Sequence, residues 1–201
     1  MPHDRRRRVS VLRPRRSALV LGSAEPNPFG HSASRGSNPS WDLVRRRSGG
    51  GAVWLDPQLC TWIDVFVPAA DPLWRADVGS AFGWLGTRLA QAFSSLGVHA
   101  DVHEGAYEPG GLVCFASRGP GEVLVENRKL VGISQRRTRQ GSRFQCAWYT
   151  RFELGPLSEL LDPRTAALTH DRAIGWVDLG IDLSPPQLTS LVLRHITSPE
   201  N

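Results

Sequence analysis

Short apolar runs broken by Gly, Pro, Ser and Asn dominate the first part of the chain, and they read as strands. VSVLR at 9–13 and SALVLG at 17–22 are two such runs, and Trp41–Val44 is a third, beyond a Pro/Gly/Ser/Asn-rich stretch at 23–40 that reads as a loop. Val53–Leu55 and Cys60–Val67 lie on either side of Asp56-Pro57-Gln58, which predicts a hairpin. The period then changes. Val78, Phe82, Leu85, Leu89, Ala92/Phe93 and Leu96 recur at steps of three and four, which predicts a helix over 75–96, closed by Gly97 in the position that favours a left-handed cap. Further on, Val123–Val125 and Leu130–Gln135 flank a tight turn at Glu126-Asn127-Arg128, where Asn tolerates positive φ. Short helices are expected near Leu157–Leu161 and over Pro186–Ile196.

The 201 residues, 40% of them hydrophobic, suffice for one globular domain with a sizeable core. The net charge of +5 is unevenly placed. Seven arginines against Asp4 give residues 1–16 a charge of +6, and the remaining 17 cations and 18 acids leave residues 17–201 at −1. The expectation is a disordered basic arm over 1–16 ahead of a near-neutral domain over 17–201, with no nucleic-acid footprint. The apolar run after the arm, Ala18–Leu21, is far too short for a secretion signal, and nothing approaches a membrane span. Three cysteines at 60, 114 and 146, without a CxxC pair, argue against a zinc ribbon or a disulfide framework. A cytoplasmic protein is expected.

Candidate chemistry concentrates in two stretches. In Arg45-Arg46-Arg47-Ser48-Gly49-Gly50-Gly51-Ala52-Val53-Trp54-Leu55, three glycines let a ligand lie against backbone N–H groups, and a guanidinium beside them can grip a carboxylate or phosphate. The alternative is a glycine-rich turn with solvated arginines. The second stretch, GEVLVENRKLVGISQRRTRQ at 121–140, holds Lys129, the only lysine among 24 basic residues. A compact ammonium differs from a planar guanidinium where a point charge is needed. His99, Asp101 and His103 alternate as on one face of a strand. A polar edge is the preferred reading there, since no fourth ligand is evident for a metal.

With RRRSGGGAVWLD followed by ENRKLVGISQRR, the chain resembles the catalytic domain of lipoate–protein ligases and octanoyltransferases, from about Ala18 to about Asp162. The resemblance implies an α+β fold in a single domain, with a mixed, mainly antiparallel sheet flanked by helices. It implies that Arg46, Ser48, Gly49, Gly50, Gly51 and Ala52 line the ligand loop. Lys129 would be the reactive-centre cation, with Gly132, Ser134 and Gln135 following on its strand as substrate-binding residues. Cys114, in a Cys-Phe pair, matches the nucleophile of one octanoyltransferase branch; a buried structural cysteine is the alternative. The histidine-glycine pair that family members carry on the next strand is missing from Gly141–Trp148, and no C-terminal accessory domain is expected. The leading implication is transfer of a lipoyl or octanoyl group to a lysine of a lipoyl domain through an acyl-adenylate. That route uses ATP and Mg²⁺ as substrates with lipoate or octanoate, no tightly bound cofactor and no resident metal, and it allows for a separate accessory chain. The alternatives are a Cys114-dependent octanoyltransferase fed by octanoyl carrier protein, and a non-catalytic acyl-binding or regulatory homologue.

Overall fold

The computed structural model describes residues 6–29 and 40–198. Among the described residues nine strands form two sheets. Strands β1 (Arg8–Leu12), β5 (Cys60–Pro68), β9 (Gly141–Tyr149), β8 (Arg128–Thr138), β7 (Val123–Val125) and β6 (Asp101–Val102) lie side by side in that order, antiparallel throughout. Strands β3 (Asp42–Arg45), β2 (Ala18–Leu21) and β4 (Val53–Leu55) make a small second sheet, in which β2 and β3 run parallel. Helices α1 (Gly83–Ser94), α2 (Pro163–Asp171) and α3 (Pro185–Thr197) complete the α+β fold.

Alternation along the central strands generates three layers, because successive side chains point to opposite faces. Ile63, Val65 and Val67 of β5 and Phe144, Cys146 and Trp148 of β9 face α1 and α3, in one core with Leu85, Leu89, Phe93, Leu188 and Val192. Cys60 and Trp62 of β5 and Ala147 and Tyr149 of β9 face the opposite way. They meet Leu19, Leu21, Val53 and Phe115 in a second core under the small sheet. Leu85, Leu89 and Phe93 are fully buried, each contributing about 1.5–3 kcal/mol relative to exposure.

Several expectations change in detail. Asp56-Pro57-Gln58 does not close a hairpin: β4 pairs with β2 and β5 with β1 and β9, so the turn carries the chain from one sheet to the other. Asp56 shapes that crossing, its carbonyl accepting from Cys60 N at 2.8 Å and its carboxylate from Gln58 N at 2.8 Å. The first helix begins later than expected, with a 3₁₀ turn at Ser80–Phe82 before α1. Asp77 Oδ1 accepts from Ser80 N at 2.8 Å, so the chain turns in only there, and Val78 stays 53% exposed. Residues 8–12 of the basic arm are ordered as β1, in agreement with the strand read at 9–13 and against a disordered arm over that span. Asp4 and Arg5, and most of the loop read at 23–40, lie outside the described residues. The β7–β8 turn has the expected form, with Glu126 at φ +48° and Asn127 at φ +67°. Among the described residues no helix is long and apolar enough to cross a membrane.

Candidate active site

The glycine loop connects β3 to β4 and is held by two clasps. Arg46, only 7% exposed, turns inward: its guanidinium donates to the carbonyls of Gly49 (2.8 and 3.2 Å), Gly51 (2.9 Å) and Val20 (3.3 Å). Ser48, 1% exposed, donates from Oγ to Gln145 Oε1 at 2.6 Å and lies 3.0 Å from Ser134 Oγ. Between these clasps Gly50 takes φ +93°, where a Cβ would meet Arg46 Nη2 at 2.9 Å and Cys114 Sγ at 3.6 Å. At Gly51 a Cβ would come within 2.5 Å of Leu112 O. At Gly51 the closeness of the next segment excludes a side chain, and at Gly50 the positive φ and the Arg46 guanidinium disfavour one. That segment is stitched to the loop by Ala52 N to Leu112 O (2.7 Å) and Cys114 N to Ala52 O (2.8 Å).

Cys114 opens a 3₁₀ turn, Cys114–Ala116, whose first carbonyl is heavily used. Cys114 O accepts from Lys129 Nζ at 2.8 Å, Ser117 Oγ at 2.7 Å and Ser117 N at 3.2 Å. Lys129 has 0% exposure, and its ammonium also pairs with Glu122 Oε2 at 2.7 Å and sits over the Phe115 ring, 5.6 Å from its centroid. Glu122 Oε2 accepts from Gly119 N (2.7 Å) and Glu122 Oε1 from Ile133 N (3.2 Å). Burial pushes the Glu122 carboxyl above its ordinary value, and the Lys129 ammonium and the two N–H groups oppose that shift.

These pieces converge on a cavity of about 280 Å³. Gly49, Gly50, Cys114, Glu122, Ser134 and Gln135 supply its polar wall and its thiol, and Val78, Phe82 and Ile133 give it apolar sides. Of the residues read from the sequence, Gly49, Gly50, Cys114, Ser134 and Gln135 line it. Arg46, Ser48, Gly51, Ala52, Lys129 and Gly132 stand behind the wall. Gly132 leaves room there, since a Cβ would touch the Phe115 ring at 3.3 Å and approach Glu122 Oε1 at 3.6 Å.

Sequence reading missed Glu122, Gln145 and Asp64. An acid just ahead of an apolar strand, across a hairpin from the lone lysine, was the available sign for Glu122. On β9 the residue facing the loop is Gln145, opposite Ser134 of β8 and Asp64 of β5. The residue facing the loop on β9 is thus an amide, and Gly141–Trp148 holds no histidine. The other two cysteines do not compete with Cys114: Cys60 and Cys146 are buried, and burial pushes both thiols far up. His99 and Asp101 form an exposed pair at 3.6 Å by the edge strand β6, and the His103 ring bonds Ala106 O at 3.1 Å. Of the arginines after Lys129, Arg137 donates to Ala76 O at 2.8 Å and stacks on Trp74, while Arg143 approaches Asp64 at 3.5 Å.

The chain is similar to known proteins in sequence and in fold. The octanoyltransferase LipM of Macrococcus caseolyticus is 31% identical over 107 residues, covering 49% of this chain and 38% of that protein. The chain thus matches well under half the length of that curated relative. Among solved structures, lipoate-protein ligase A bound with ATP superposes with a TM-score of 0.69 at 18% identity, covering 97% of this chain and 73% of that one. A bi-partite lipoate protein ligase of Thermoplasma acidophilum, studied with its E2 lipoyl domain, gives a TM-score of 0.67 at 16% identity, covering 95% and 70%. The family model of the lipoyl protein ligase A/B catalytic domain matches residues 19–178, which takes in the glycine loop, Cys114 and Lys129, and the chain belongs to that family.

Proposed function

We propose that this chain transfers a lipoyl or octanoyl group to the ε-amine of a lysine on a lipoyl domain. The observation that carries the reading is the convergence of the glycine loop, Cys114 and the buried Lys129–Glu122 pair on one apolar-sided cavity. Its apolar sides suit the acyl chain. Its loop amides and the Lys129 ammonium, one carbonyl away from the wall, suit the negative charge that develops when an amine attacks an acyl carbonyl. Such an attack needs positioning more than proton transfer, which fits a β9 strand without a histidine.

In the adenylate route, the acyl carboxylate displaces pyrophosphate from ATP, the lysine amine forms the amide, and AMP leaves. Support comes from the fold shared with a ligase solved with ATP. In this route Mg²⁺ is a co-substrate that comes with ATP. This route also calls for an accessory segment over the nucleotide, in cis or on a separate chain.

One observation favours a second route. Cys114 lies in the cavity wall against Gly50, and the curated relative is named an octanoyltransferase. Here the Cys114 thiolate attacks the carbonyl of octanoyl carrier protein; the new thioester forms as the carrier's sulfur leaves. The lysine amine then forms the amide, and the Cys114 sulfur leaves.

Intact-mass spectrometry separates the routes. Incubation with lipoate, ATP and Mg²⁺ should leave a bound acyl-adenylate if the first route operates. Octanoyl carrier protein should leave a covalent octanoyl adduct, absent in Cys114→Ser, if the second does. No adduct, no adenylate and no acylation of a lipoyl domain would overturn acyl transfer.

A further inference from the structure

Three side chains directly opposite one another on adjacent strands form a polar row beneath the glycine loop: Asp64 of β5, Gln145 of β9 and Ser134 of β8. The charge at one end fixes the direction of every hydrogen bond in it. The Asp64 carboxylate only accepts, and it already takes Trp62 Nε1 at 3.1 Å. The Gln145 amide must therefore turn its NH₂ group to Asp64 Oδ1, at 3.4 Å, and its carbonyl to Ser48. Ser48 has a single proton, and the 2.6 Å bond to Gln145 Oε1 uses it. Across the 3.0 Å gap to Ser134 Oγ, Ser48 can only accept, so the Ser134 proton points away from the cavity and toward Ser48. What Ser134 offers to the cavity it lines is a lone pair.

We infer that Ser134 is a hydrogen-bond acceptor, with its polarity set by Asp64 through Gln145 and Ser48, that receives an N–H of the incoming amine. The inference rests on the proposed acyl transfer for the identity of the amine. Neither a thioester nor the acyl chain has a proton to give; the nucleophile does. Gln135, the next residue along β8, also lines the cavity, and both its amide atoms are buried without a hydrogen-bond partner. Ser134 thus touches the nucleophile, and Gln145 is a positioning residue that acts through Ser48. Gln145→Leu would free the Ser48 proton for Ser134, turn the Ser134 proton into the cavity and convert the acceptor into a donor.

The test separates loading from transfer. Wild type, Ser134→Ala and Gln145→Leu are loaded with octanoyl carrier protein, or with lipoate, ATP and Mg²⁺, and then mixed with a lipoyl domain. Once loaded, both variants should transfer about tenfold or more slowly, as expected for a lost hydrogen bond to a cationic or reacting nitrogen. Reduced loading in Ser134→Ala would place Ser134 on the acyl donor or nucleotide and overturn the inference. Wild-type transfer by Gln145→Leu would overturn the fixed polarity. Titration with butylamine, followed by NMR, reads the acceptor without turnover: both variants should bind at least about tenfold more weakly, and equal affinities would sink it. If the wild type loads from neither donor yet the amine result holds, the acyl-transfer reading fails and the acceptor stands.

Discussion

Removing the Lys129 ammonium should destabilise the protein far more than a charge change at a surface. Lys129 has 0% exposure, and its Nζ bridges Glu122 Oε2 at 2.7 Å and Cys114 O at 2.8 Å. Lys129→Met keeps most of the side-chain volume and deletes the charge, leaving the Glu122 carboxylate buried with only the Gly119 and Ile133 N–H groups. Breaking a buried pair in this way costs about 3–5 kcal/mol. For a chain of this size each kcal/mol lowers Tm by roughly 2–4 °C, so a fall of about 6–20 °C is expected. The double variant Lys129→Met/Glu122→Gln removes both charges and should recover about 2 kcal/mol of that loss, measured by urea unfolding with linear extrapolation. Acyl transfer should stay low in the double variant, because stability returns without the cation. A single variant within about 0.5 kcal/mol of wild type would refute this reasoning, and so would a double variant no more stable than the single.

The same pair predicts a pH dependence. The Glu122 carboxyl is held above its unfolded value by burial, so the folded state binds the extra proton, and its contribution to stability is present at low pH and lost as the pH rises through the folded-state value. In Lys129→Met, without the ammonium that opposes the shift, unfolding midpoints should climb more steeply on acidification from neutrality than in the wild type; parallel profiles would count against it. Lys129→Arg should also lose stability, by about 1–3 kcal/mol in calorimetry, because a guanidinium overfills a closed site built for an ammonium. Gly50→Val should fold but lose acyl binding by calorimetry, since a β-branched residue resists φ +93° and its Cβ would crowd Arg46 Nη2 and Cys114 Sγ. Iodoacetamide should label Cys114 in the native protein and reach Cys60 and Cys146 only on unfolding, because burial keeps those two thiols neutral and covered.

Local pattern carried much of the fold. The strands at 53–55, 60–67 and 123–125, the core of helix α1 and the Glu126-Asn127 turn follow from alternation, period and turn chemistry, which act over a few residues. Helix α2 went unread because it has little apolar face: Thr169 is its buried residue and Leu168 is 53% exposed, so only Asp162-Pro163, an N-cap and first-turn pair, marks it. Partner choice was beyond local pattern. Val53–Leu55 and Cys60–Val67 read as two arms of one hairpin, yet β4 pairs with β2 and β5 with β1 and β9, in different sheets.

The site divides in the same way. Residue types and order marked the glycine loop and the sole lysine as candidate positions, and the family resemblance added Cys114. The tertiary structure decided which way each one faces. Arg46 and Ser48 look like ligand contacts in sequence, but strand pairing turns them inward as clasps, because the loop's unpaired carbonyls and the Gln145 amide need partners more than solvent does. Lys129 and Glu122 are seven positions apart and meet only through the register of β7 and β8. Asp64, Ser134 and Gln145, the outer two 81 positions apart, become neighbours only because three antiparallel strands align them. Sequence sets which groups a chain has to offer; the direction in which a hydroxyl proton points is fixed by charges brought near it from elsewhere in the chain, and only the fold brings them.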